Sequence, residues 1–165
     1  MLQHRGQDSA GMVTTDWERF VERKDNGLVA NVFESKSAME ALKGPAGIGH
    51  VRYPTAGTAS AAEAQPFFVN SPLGMYLIHN GNLTNVAELR ARLQGQDSFF
   101  NRHLRTESDS EVLLNVWADA VHRAQKQCLE GLECRTSLSD PFSAKATVRE
   151  LVFAAGADLM QQLQG

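Results

Sequence analysis

The period of the hydrophobic pattern changes near the middle of this chain, and that change limits the fold more than any single residue does. In the first half apolar residues come in short runs broken by turn formers. Residues 11–15 and 19–24 are extended segments around a polar bend at Asp16, and Asp25-Asn26-Gly27 is a turn signal. Residues 48–53 alternate, placing Ile48, His50 and Arg52 on one face and Val51 and Tyr53 on the other. Residues 67–69 and 75–79 read as two further strands, with Ser71-Pro72-Leu73-Gly74 as the turn between them. Residues 54–64 carry almost no bulk, so they cannot fill a core and read as a surface loop. One short helix interrupts this half. Ser37 with Glu40 three residues later has the register of a capping box, and Ala38, Met39 and Leu42 follow.

In the second half the period becomes helical. Asn85 and Glu88 mark a helix start, with Val86, Leu89 and Leu93 on one face. Ser108 and Glu111 stand in capping-box register ahead of a longer helix, on which Val112, Leu113, Val116, Trp117, Ala120 and Val121 line one side. A last helix is expected over 145–163, from Val148, Leu151, Val152, Ala155 and Leu159. Strands followed by helices, with no internal repeat or linker, predict one layered α+β domain over 1–165.

Composition excludes several functions. A chain of 165 residues with 42% apolar and 21% charged residues suits a soluble globular domain. Its net charge of −3 offers no electrostatic footprint for nucleic acid. No apolar run is long enough to span a bilayer, and the first residues lack the apolar stretch of a signal peptide. The expected compartment is the cytoplasm, or a plastid if a transit segment precedes the sequence. Cys128 and Cys134 match neither a redox pair nor a zinc knuckle and read as free thiols.

Three segments are unusually polar for stretches flanked by strands: Gln3-His4-Arg5-Gly6-Gln7-Asp8-Ser9-Ala10-Gly11, Gly49-His50-Val51-Arg52-Tyr53-Pro54-Thr55-Ala56-Gly57, and His79-Asn80-Gly81-Asn82-Leu83-Thr84-Asn85. Each has an ordinary explanation. Arg52 could be a strand arginine in a surface ion pair. Asn80-Gly81 is the leading signal for a tight hairpin, although a helix start follows it. Asp109 is a carboxylate in the first turn of a helix, where the dipole favours it, and Thr55 is a loop threonine.

Together with Ser108-Asp109-Ser110-Glu111, these segments resemble, in order and spacing, the glutaminase domain of the class II, N-terminal-nucleophile glutamine amidotransferases. His4-Arg5-Gly6-Gln7-Asp8 and Val51-Arg52-Tyr53-Pro54-Thr55-Ala56-Gly57 look like the versions in the purine-pathway branch. They differ from the Tyr-Arg-Gly-Tyr-Asp and Thr-Arg-Trp-Ala-Thr-His-Gly of the branch that makes glucosamine 6-phosphate. The resemblance implies a four-layer αββα fold. It implies that Arg52 grips the α-carboxylate of glutamine, with Thr55 beside it, and that Asp109 binds the α-ammonium group. Asn80 and the Gly81 backbone N–H would form the oxyanion hole, and Arg5 would position the nucleophile's end of the site. A guanidinium fork suits a carboxylate, and fixed donors suit the anionic oxygen of acyl transfer.

The parent activity so implied is glutamine hydrolysis to ammonia. Ammonia then displaces pyrophosphate from phosphoribosyl pyrophosphate to give 5-phosphoribosylamine, the first step of purine synthesis. The family nucleophile is a terminal cysteine whose own amine is the base. Here residue one is Met1 and the motif begins at Leu2. The expectation is therefore a partial domain, incomplete at both ends and inactive alone. It would lack the nucleophile segment and the Mg2+-dependent phosphoribosyltransferase domain, and this chain itself would use no cofactor. Full-length relatives are expected to be homo-oligomers. A glutamine-binding pseudoenzyme and an amidotransferase of another pathway are the alternatives.

Overall fold

A computed structural model describes residues 3–53, 60–95 and 101–133, with the backbone alone over 127–133. Thr55, Cys134 and the helix expected over 145–163 lie outside the described residues, as does the side chain of Cys128.

The chain forms two compact units. The first comprises the residues up to Phe68 together with Tyr76–Asn82 and Leu104–Glu111. It is built on a three-stranded antiparallel sheet in the order β2-β1-β3, where β1 is Ser9–Thr15, β2 is Phe20–Asn26 and β3 is Ala46–Arg52. The central strand is almost wholly buried, with Ala10 and Val13 at its core. The outer β2 carries Glu22, Arg23, Lys24 and Asp25 and stays largely exposed. Such charges suit an edge strand, where they discourage pairing with another chain. In the β1–β3 register Ser9 faces Arg52, Gly11 faces His50 and Val13 faces Ile48. Since side chains alternate across a sheet, Ile48, His50 and Arg52 do share one face.

Two short helices, α1 (Val29–Val32) and α2 (Lys36–Ala41), join β2 to β3. The start of α2 differs from the sequence expectation. Ser35 caps it, accepting from the Ala38 N–H, so the helix begins before Ser37. The hairpin partners β4 (Phe67–Val69) and β5 (Met75–Leu77) pair with each other, joined by the expected turn.

The second unit comprises Val69–Met75, Leu83–His103 and the chain from Val112. It holds α3 (Val86–Gln94), which buries Leu89 and Leu93, and most of α4 (Asp109–Glu133). The apolar spacing predicts a single apolar side for α4. In the structure Val112, Leu114, Val116, Ala118, Ala120 and Val121 are all buried, while Leu113 and Trp117 are only half-buried. Leu114 and Ala118 lie off the expected stripe and are fully buried too, and a helix enclosed on more than one side does not keep a narrow apolar stripe. The Ser108–Glu111 capping box is also replaced. Ser108 Oγ accepts from the Ser110 N–H, but Glu111 turns to the preceding loop, accepting from the N–H groups of Arg105 and Thr106 and the Thr106 hydroxyl.

The architecture is α+β with antiparallel sheets. No described helix is long and apolar enough to cross a membrane.

Candidate functional site

Arg52, Asn80, Gly81 and Asp109 all lie in the first unit. Arg52 ends β3, and its guanidinium is held on two sides. Nη1 donates to Asp8 Oδ2 at 2.7 Å and Nη2 to Glu63 Oε2 at 2.5 Å. The three side chains are only 13%, 11% and 8% exposed, so this is a nearly buried ionic triad of net charge −1. An arginine has five N–H donors, so two ion pairs leave the Nε–H and one N–H on each terminal nitrogen for other work. The surface ion pair considered for this arginine is therefore not what forms.

Asn80 and Gly81 occupy the loop between β5 and α3, outside any hairpin. Their position is set from below by Gln65, which is buried. Its Oε1 accepts the His79 backbone N–H at 2.7 Å, and its Nε2 donates to the His79 carbonyl at 3.2 Å. One side chain thus satisfies both backbone groups of the residue before Asn80, as a neighbouring strand would. Gln65 comes this close because it packs over Gly11. A Cβ added to Gly11 would lie 2.0 Å from the Gln65 carbonyl oxygen.

The same amide nitrogen of Gln65 donates to Ser110 Oγ at 3.1 Å. That hydroxyl donates to Asp109 Oδ1 at 3.2 Å and also meets His79 Nδ1 at 3.2 Å. With its one proton directed to Asp109, it accepts from both Gln65 and the His79 Nδ1–H. A continuous polar network therefore runs from the Asn80-Gly81 loop to the first turn of α4, where Asp109 lies. Gly81 belongs to it sterically. A side chain there would place its Cβ 2.6 Å from His79 Nε2, on a ring already tethered to Ser110.

Asn80 is also held from the sheet, through His50 of β3. The His50 Nε2 and Asn80 Oδ1 are 2.9 Å apart. Burial, first of all, pushes the His50 pKa below its ordinary value; the hydrogen bond to Asn80 opposes this, and the charges of Arg52 and His79 add to it.

The expected residues fare unequally. Arg52, Asn80 and Asp109 are tied into connected polar structure. Arg5 sits in the 3-10 turn Gln3–Arg5, exposed, with no hydrogen bond or ion pair to a described residue. Gly6, beside it, packs on the backbone of Arg52. Thr55 is not described. Sequence reasoning missed Asp8, His50, Glu63, Gln65 and Ser110. For two of them a signal was present: Glu63 and Gln65 flank Ala64 ahead of an apolar strand, and polar residues in such a place need partners. A hollow of about 270 Å³ elsewhere in this unit, lined in part by Glu22, Lys24, Phe67, Phe68, Tyr76 and Arg105, contains none of the expected site residues. Among the described residues no group of His, Cys, Asp and Glu is arranged to hold a metal ion.

Comparison with known proteins gives a consistent result. Residues 36–133 match the model of the glutamine amidotransferase domain. The amidophosphoribosyltransferase of Pasteurella multocida is 56% identical over 131 residues, covering 79% of this chain and 25% of that one. The amidophosphoribosyltransferase of Escherichia coli is 49% identical over 158 residues, 95% of this chain and 29% of that one. Among solved structures, the glutamine phosphoribosylpyrophosphate amidotransferase of Bacillus subtilis superposes with a TM-score of 0.58 at 39% identity, over 70% of this chain and 24% of that one. The chain spans about a quarter of the length of these relatives.

Proposed function

Because the chain belongs to the glutamine amidotransferase domain family, we propose that it is the glutamine-holding part of an amidophosphoribosyltransferase. The whole reaction would release ammonia from glutamine and pass it to phosphoribosyl pyrophosphate. The observation that carries this reading is the polar network joining the Asn80-Gly81 loop to Asp109 through Gln65 and Ser110. It fixes an amide donor and a carboxylate relative to each other, which glutamine binding requires.

Each group has a role in that reaction. Arg52 takes the α-carboxylate with its remaining N–H donors, and Asp109 takes the α-ammonium group. By the same family pattern Thr55 would assist in binding the α-carboxylate, and Arg5 would position the nucleophile's end of the site. In the family the attacking thiolate adds to the side-chain amide carbon, and the carbonyl electron pair moves onto oxygen. The Asn80 amide and the Gly81 N–H stabilise that oxygen as charge develops. Collapse of the adduct expels the protonated nitrogen as ammonia, and water then releases glutamate from the thioester.

Calorimetric titration of the folded chain with glutamine tests the reading. Binding is expected, and Asp109→Asn is expected to weaken it. Losing a hydrogen bond to a charged group costs about 1.5–3 kcal/mol, or roughly 10- to 100-fold in Kd. Arg52→Lys is the matching test at the other end, since it keeps the charge that Asp8 and Glu63 require while losing the planar fork. A folded chain that does not bind glutamine refutes the proposal.

A further inference from the structure

We propose that His50 is a positioning residue for the oxyanion hole: its neutral ring, protonated at Nε2, turns the Asn80 amide so that Nδ2 faces the substrate. The inference rests on the glutamine-site reading and adds to it a residue that the reading does not contain.

An asparagine amide serves an oxyanion only in one of two orientations. With Nδ2 toward the substrate it donates; rotated by half a turn it presents Oδ1 and repels the developing charge. Backbone position does not choose between them, so something must hold one end. In the structure His50 Nε2 lies 2.9 Å from Asn80 Oδ1. Asn80 makes no other hydrogen bond to a described residue, so no described residue engages its two Nδ2 donors.

The state of the ring decides whether this hold works. His50 Nδ1 is buried and has no partner among the described residues. A proton on Nδ1 would create an orphaned buried N–H, a rarer defect than an unmatched acceptor. It would also leave a lone pair on Nε2, which would draw the Asn80 N–H and turn the amide the wrong way. A proton on Nε2 avoids both, because the ring's one donor meets Asn80 Oδ1. The charged ring would hold Asn80 equally well, but burial and the charges of Arg52 and His79 disfavour it. The site thus selects the neutral Nε2–H form. The Gly11↔His50 register places the ring on the face where Gln65 packs, the same side that holds the Asn80 loop.

Two measurements test this. The first compares binding of glutamine with binding of 2-aminopentanoic acid, which keeps both α-groups and lacks the side-chain amide. Their affinity ratio reports the contacts made to the side-chain amide, the one to its oxygen among them. His50→Leu is expected to lower the ratio about three- to tenfold, the worth of one hydrogen bond, with affinity for 2-aminopentanoic acid unchanged. His50→Gln, whose amide nitrogen replaces Nε2–H, is expected to restore it. An unchanged ratio in His50→Leu, or no recovery in His50→Gln, overturns the proposal while leaving glutamine binding intact. If the unsubstituted chain binds neither ligand, the glutamine-site reading fails, and this proposal with it. The second measurement needs neither ligand nor variant, so it stands even if His50→Leu fails to fold. Long-range 1H–15N spectra of the imidazole groups should show His50 protonated at Nε2 and not at Nδ1; the reverse tautomer overturns the proposal.

Discussion

Replacing Arg52 by leucine should cost more stability than any ordinary surface substitution, and the triad geometry gives the scale. The guanidinium is paired to Asp8 at 2.7 Å and Glu63 at 2.5 Å, with all three side chains at most 13% exposed. Arg52→Leu leaves two carboxylates in a poorly solvated place with no counter-charge. Removing one partner of a buried ionic group costs about 3–5 kcal/mol. That is a large part of the roughly 5–15 kcal/mol by which a domain is stable. Urea unfolding with an m-value of about 2 kcal/mol/M would then show a midpoint lower by roughly 2 M. The cost should arise from the stranded charges and not from lost packing. The triple variant Asp8→Asn, Glu63→Gln, Arg52→Leu should therefore recover more than half of the loss. A midpoint shift under about 0.5 M in Arg52→Leu would show that the carboxylates are solvated after all. A triple variant as unstable as the single one would refute the electrostatic origin.

Two further outcomes follow from the same site. Gln65→Leu removes the partner of both His79 backbone groups and of Ser110, so it should cost about 1–3 kcal/mol and weaken glutamine binding; thermal unfolding and calorimetry would register the two effects, and an unaltered Kd would contradict the network's role in holding Asn80. Burial lowers the pKa of both His50 and His122, so the unfolded chain takes up these protons first as pH falls. Stability should therefore decline as pH drops below about 6.5 and level off once the folded-state values have been passed. Asp16, also lowered from 3.8, acts only in a more acid window. Urea midpoints at neutral and mildly acid pH test the sign, and a chain that gains stability on acidification would contradict it.

The parts of the fold that rest on local periodicity were legible in the sequence. β1, β3, β4 and α3 fall close to their expected places because alternation and helical spacing reflect burial on one face. Two helices, α3 and α4, begin directly after Asn85 and Ser108 as expected, but the capping contacts and the start of α2 were less legible. A capping box requires the side chain three residues on to reach back to the cap, and Glu111 had better donors in the Arg105 and Thr106 N–H groups. Ser35, not Ser37, stands where the chain of α2 enters the helix. In both cases the spacing was present and the partner was chosen by the loop, whose path the spacing does not encode.

The candidate site divides along the same line. Groups that would touch glutamine were readable because their chemistry demands a residue type: a guanidinium, an amide next to a glycine, a carboxylate at a helix start. Groups that would hold them were not. Gln65, His50 and Ser110 act through contacts spanning 14, 30 and 45 positions, and nothing local says which distant partner each will find. Burial makes them specific. An exposed Gln65 would exchange its partners for water, whereas a buried one must find a partner for every amide proton and lone pair it can. That requirement joins the loop of Asn80 to the first turn of α4, and Gly11 lets it happen by leaving the space that Gln65 occupies. The precision of an amide donor and a carboxylate far apart in sequence is therefore a property of the buried side chain between them. Substitutions at Gln65 should loosen both ends at once, whereas those at Asn80 or Asp109 should affect one end alone.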